Sequence, residues 1–202
     1  MDTYEQVKAV KQSFRLLMNG ETSRSMREKG SGYKLNWGIP QHELRKMAEE
    51  LPHDYDLAIA LWKEDIRECK ILATILMPKE RMTQELVDVW MEQTHELEIA
   101  EVAVMNLYQY LDFAPVIAFE WLASDDELHQ VSAYHILSRL FMNGREPNER
   151  GINELLDQAL TALEGENPHV RHAAGNCLQR LAQLGPEYEA LVDSGLKTLS
   201  RS

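Results

Sequence analysis

The stretch "MEQTHELEIAE", Met91 to Glu101, places Glu92, Glu96, Glu98, Glu101 and His95 within about three helical turns. Such a set could ligate a metal, supply an acid or base, or simply solvate one helix face. Glu92 and His95 form a Glu-x-x-His pair, half of the ligand set of a di-iron helical bundle. The other half is missing. Glu50 with His53 and Glu166 with His169 have the same spacing, but Pro52 and Pro168 interrupt them, so neither pair fits inside a helix. No H-E-x-x-H, paired C-x-x-C, Walker loop or G-x-S-x-G occurs, so zinc-protease, nucleotide-hydrolysis and α/β-hydrolase chemistry have no support. No metal is expected. A plain amphipathic helix remains open: Leu97, Ala100, Val104 and Leu107 would line its inner stripe, with most glutamates in water.

The charge distribution adds a constraint. The 202 residues carry a formal charge of -12. From Glu80 to Glu127 twelve carboxylates face Arg81 alone, a balance of -11 that argues against gripping phosphates. From Arg24 to Lys46 the balance is +4, with Lys34, Arg45 and Lys46 in or beside a glycine-rich run that also holds Tyr33 and Trp37. Aromatic and cationic residues together suit nucleic acid, although Trp37 reads first as an anchor for its loop. Cys69 and Cys177 stand alone in apolar patterns and read as buried thiols. With no apolar leader and no window long enough to span a bilayer, a cytoplasmic protein with no membrane contact is expected.

The elements that must position these residues are helices almost throughout, because the apolar spacing is helical and no alternating β-branched run occurs. Helices are expected at about 4–18, 22–28, 41–51, 54–63, 66–77, 82–93, 96–111, 113–122, 126–141, 148–163, 168–184 and 186–199. Only "EKGSGYKLNWGIP" resists a helical reading, as a structured loop or a flexible lid. "DDELHQVSAYHILSRLF" and "ENPHVRHAAGNCLQRLA" share a capped start and the same inward spacing. Helix pairs repeating at roughly 40 residues are the period of HEAT and armadillo arrays. The fold class is therefore all-α, a HEAT-like α-α solenoid, with residues 1–202 as a single repeat domain. Trp90 is assigned to the core, and Trp62 and Trp121 to the seals between paired helices. His169 and His172 read as surface residues.

"NWGIPQHELRKMAEEL", "LAIALWKEDIRECKILATILM", "MTQELVDVW" and "WLASDDELHQ" together resemble the bacterial DNA alkylation repair family, the AlkD-like glycosylases. The likeness runs from about Tyr33 to Phe141. It implies a HEAT-like solenoid that holds double-stranded DNA and releases cationic N-alkylated purines without metal or organic cofactor. Active members read W-x6-W-D-x-x-D after the position of Trp90: the second tryptophan packs on the lesion and the last aspartate faces the sugar. Those two positions are Leu97 and Glu101 here. The family's block of backbone-gripping arginines falls at Leu128, His129 and Gln130. The resemblance thus implies a DNA-binding protein whose excision is weak, altered or lost, with Glu101 as the candidate carboxylate and His129 and Gln130 at the backbone-contact positions. Lys34, Trp37, Arg45 and Lys46 of the basic segment are further candidate DNA contacts, as is Arg171, which stands where HEAT second helices often carry a basic residue toward the groove or into an ion pair within the repeat. A HEAT scaffold whose acidic surface binds a basic protein partner is the alternative.

Overall fold

A computed structural model describes residues 2–200, whose chain forms twelve α-helices and two short 3-10 turns. The helices fall into two compact units, Met1–Leu107 and Tyr108–Ser202.

The first unit holds α1 (Thr3–Leu17), α2 (Gly20–Glu28), α3 (Gln41–Glu49), α4 (Tyr55–Trp62), α5 (Arg67–Leu76), α6 (Gln84–Glu92) and α7 (Leu97–Asn106). Its centre is α5, which packs against α3, α4 and α7. Eight of its ten residues are buried, so α5 has no solvent face and its charged residues must find partners inside. Several starts are written locally: Asp2, Asn19, Asp54 and Thr83 each accept a backbone N–H from the first turn of the helix that follows. Trp90 is fully buried and its indole lies flat on that of Trp62, with centroids 4.0 Å apart and planes 1° from parallel.

The second unit holds α8 (Ala114–Leu122), α9 (Glu127–Met142), α10 (Glu149–Glu164), α11 (Pro168–Ala182) and α12 (Pro186–Leu199). Here α8 pairs with α9 and α10 with α11, while α9 and α11 stack on each other. Asp126 and Asn167 cap the two stacked helices, and Pro168 occupies the first turn of α11, where its missing N–H costs nothing. Trp121 is buried against the edge of Tyr108 at 5.9 Å.

The expected helix over 96–111 is two elements: α7 stops at Asn106, Leu107 leaves helical geometry, and a 3-10 turn runs Tyr108–Tyr110. The break coincides with the boundary between the units. Leu97 also departs from the expected inner stripe: Ala100, Val104 and Leu107 are buried, whereas Leu97 is only half-buried. No helix among the described residues is long and apolar enough to cross a membrane.

Candidate nucleic-acid interface

The four glutamates of the opening stretch have different fates, beginning with Glu92, which is exposed at the end of α6. α7 begins at Leu97 with no side-chain cap, because the carboxylate of Glu96 is turned away to accept the Gly32 N–H at 2.6 Å. Leu97 and Glu101, one turn apart, share a face of α7 with Met105, which is 40% exposed; Glu101 itself is exposed. Glu98 is the constrained one. Its carboxylate takes a bidentate pair of bonds from Arg67, at 2.8 and 2.6 Å, and further bonds from Tyr33 Oη and Gln41 Nε2. Burial alone would raise the Glu98 carboxyl, but the Arg67 hydrogen bonds and charge outweigh it and hold the group below the ordinary glutamate value. Burial, then the charges of Glu98 and Glu96, push the Tyr33 phenol well above its ordinary value.

Arg67 and Glu68 open α5 and are 4% and 0% exposed, so neither could stay charged without a partner. They pair with each other at 3.0 Å and then hold the glycine-rich loop. Glu68 accepts the N–H groups of Trp37 and Ile39, and Arg67 donates to the Ile39 carbonyl. Leu35 adds a parallel bridge to Ile66. At Gly38, φ is +70° and an added Cβ would collide with the backbone of Asn19 and Ser23, so only glycine fits this close approach. The stretch from 29 to 40 is thus a structured strap tied to the starts of α5 and α7. Its ties were not visible in the sequence beyond one signal, a charged Arg67–Glu68 pair at the head of a helix that is apolar from Ile71 onward but for Thr74.

The remaining candidates divide by unit. In the first, Lys34 and Arg45 are exposed, whereas Lys46 pairs with Glu43 at 2.9 Å. Trp37 is half-buried with its ring 6.5 Å from that of Phe14, a packing contact that anchors the strap. In the second, His129 and Gln130 lie in the first turn of α9 and are engaged locally. His129 Nδ1 lies 2.9 Å from Asp126 Oδ1, its ring meets Trp121 edge-on, and Gln130 donates to the Ser124 carbonyl. Burial raises the Asp126 carboxyl, but the His129 ring and backbone hydrogen bonds more than offset this and leave it lowered. Arg171, His169 and His172 are exposed on α11. Among the described residues no group of three or more His, Cys, Asp or Glu could hold a metal ion. Cys69 and Cys177 are buried, and burial pushes both thiols up to about 12, which keeps them protonated and unreactive.

Three comparisons bear on this geometry. The sequence matches the family model described as DNA alkylation repair enzyme over residues 10–192. Among solved structures it is similar to one described as a new family of proteins related to the HEAT-like repeat DNA glycosylases with affinity for branched DNA structures. The TM-score is 0.81 at 18% identity, covering 98% of this chain and 83% of that one. No curated protein matches. At that identity the structural likeness establishes a HEAT-like helical-repeat fold, and the family model spans nearly the whole chain: this protein belongs to the DNA alkylation repair enzyme family.

Proposed function

We propose that this protein binds DNA through its helical-repeat surface and that its capacity to excise N-alkylated purines is weak or lost. An N-alkylated purine is already cationic and a good leaving group, so excision needs a carboxylate for the oxocarbenium-like sugar and an aromatic face for the charged base. The observation that carries the reading is the α7 face on which Glu101 shares its exposed side with Leu97. A leucine has no π-face, which forfeits roughly 0.5–2 kcal/mol toward a cationic base. Glu101 is one methylene longer than the aspartate of active members, and displacement of a reacting group by about 1 Å costs roughly 100-fold in rate. Glu98 is no substitute, because its carboxylate is committed to Arg67, Tyr33 and Gln41. DNA as ligand is supported by family membership and by the branched-DNA affinity described for the structural relative.

The test is an electrophoretic shift series on a four-way junction and a linear duplex over increasing salt. It is run beside a base-release assay on duplex containing N7-methylguanine. The expected result is salt-sensitive binding with slow release that Glu101→Gln abolishes. Absence of any shift at low ionic strength would overturn the DNA reading in favour of a scaffold for a basic protein partner, the reading that the -11 segment favours. Rapid release that survives Glu101→Gln would show that the carboxylate lies elsewhere.

A further inference from the structure

We propose that Arg27, Lys29 and Lys34 form a preshaped clamp for the phosphate backbone of DNA, latched against the start of α7 by the Arg67–Glu98–Tyr33 cluster. This rests on the DNA-binding reading above and names the part of the surface that grips the backbone.

The three cations stand within eight residues of chain, across the reversal that follows α2, where Gly30 takes φ +93°. All three are exposed, and among the described residues none has a carboxylate within ion-pair distance. Of the other cations from 24 to 46, Arg24 lies 3.8 Å from Glu28 and Lys46 pairs with Glu43, while Arg45 stands on α3, outside this loop. A cation on a floppy loop spends much of its Coulomb gain on ordering the chain. This loop is ordered beforehand. Gly32 N–H is bound to Glu96, Tyr33 Oη to Glu98, and the backbone N–H groups of Trp37 and Ile39 to Glu68. A Cβ at Gly32 would stand 2.8 Å from Glu96 Oε1, the movable end of a side chain that reaches up to the loop backbone.

The same ties give part of the acidic segment a structural use. Glu96 and Glu98 belong to the acidic segment, yet their oxygens are occupied by the loop and by the Arg67 guanidinium. Glu98 shares the charge of Arg67 with Glu68, and Glu96 keeps its charge, but both carboxylates face and fasten the loop that carries the cations. Glu96 and Glu98 also flank Leu97, so the latch joins the clamp to the helix that carries Leu97 and Glu101. Arg67, Glu98 and Tyr33 are positioning residues in this scheme, since they act through the loop.

Fluorescence anisotropy of the full chain with a labelled duplex, over a salt series, tests both parts. Lys29→Ala and Lys34→Ala should each weaken binding several-fold and lower the slope of log affinity against log salt by about one, while Lys34→Arg retains both. Glu98→Gln removes a negative charge, which by net charge alone would tighten binding; the latch requires that it weaken binding and lower the slope. Tyr33→Phe changes no charge and keeps the ring, so it carries the same test should Glu98→Gln fold poorly. Wild-type affinity and slope in both lysine-to-alanine variants would overturn the clamp and leave the DNA-binding reading standing. Unchanged or tighter binding by Tyr33→Phe would overturn the latch, and absence of binding by the wild type would overturn clamp and reading together.

Discussion

Glu98 shows how far a side chain's role depends on what it touches. Its carboxyl is held below the ordinary value of about 4.3, so its contribution to stability is present above that pH and is lost as pH falls through the depressed folded value. Thermal unfolding of wild type and Glu98→Gln should therefore differ at pH 7 and draw together as the pH falls below the ordinary glutamate range; a gap independent of pH would mean that the ion pair is not the source. Leu97 supports a second prediction. Leu97→Trp restores a π-face beside Glu101 and should raise affinity for a cationic lesion by about 2–30-fold, the equivalent of 0.5–2 kcal/mol, measurable by competition between lesion-bearing and plain duplex. Equal competition by the two duplexes would exclude that face as a lesion site. Neither role could be read from composition alone: Glu98 and Glu101 are both glutamates of one short run, and only the buried Arg67, thirty-one residues earlier, separates them.

At the scale of elements, what is written locally was legible and what is written by distant partners was not. α9 and α11 start where Asp126 and Asn167 cap them, and the first and last helices fall within a residue of their expected ends. The strap from 29 to 40 was ambiguous between loop and lid because its order comes from Glu68, Glu96 and Glu98, which local pattern cannot reveal. The repeat length shows the same limit: α5, α7, α9 and α11 start at Arg67, Leu97, Glu127 and Pro168, spacings of 30, 30 and 41 against the expected 40. Shorter helices account for the compression: α5 to α8 have 9 or 10 residues each, against 16 in α9 and in α10. The caps carry measurable energy. Asn167 accepts two backbone N–H groups, and Asn167→Ala should cost about 1 kcal/mol in a denaturant titration, whereas no loss would show that water replaces the cap without penalty.

At the scale of the molecule, each compact unit carries one buried thiol, Cys69 in the first and Cys177 in the second. Because burial keeps both protonated, neither should react with a thiol reagent at pH 8 until its own unit opens. Mass-tag labelling across a denaturant series then reads the two openings separately, and fast labelling of the native protein would contradict the burial. The all-α class and the helix-pair scheme were legible because they rest on periodicity, while the division into two units at Leu107 was not, since it rests on a helix that stops mid-pattern. The flat contact between Trp62 and Trp90 has a spectroscopic corollary. Two parallel, stacked indoles at such a separation share their excited states, so circular dichroism in the ultraviolet should carry a coupled-chromophore band that Trp90→Phe erases. That band is a built-in optical gauge of how α4 meets α6, independent of helix content.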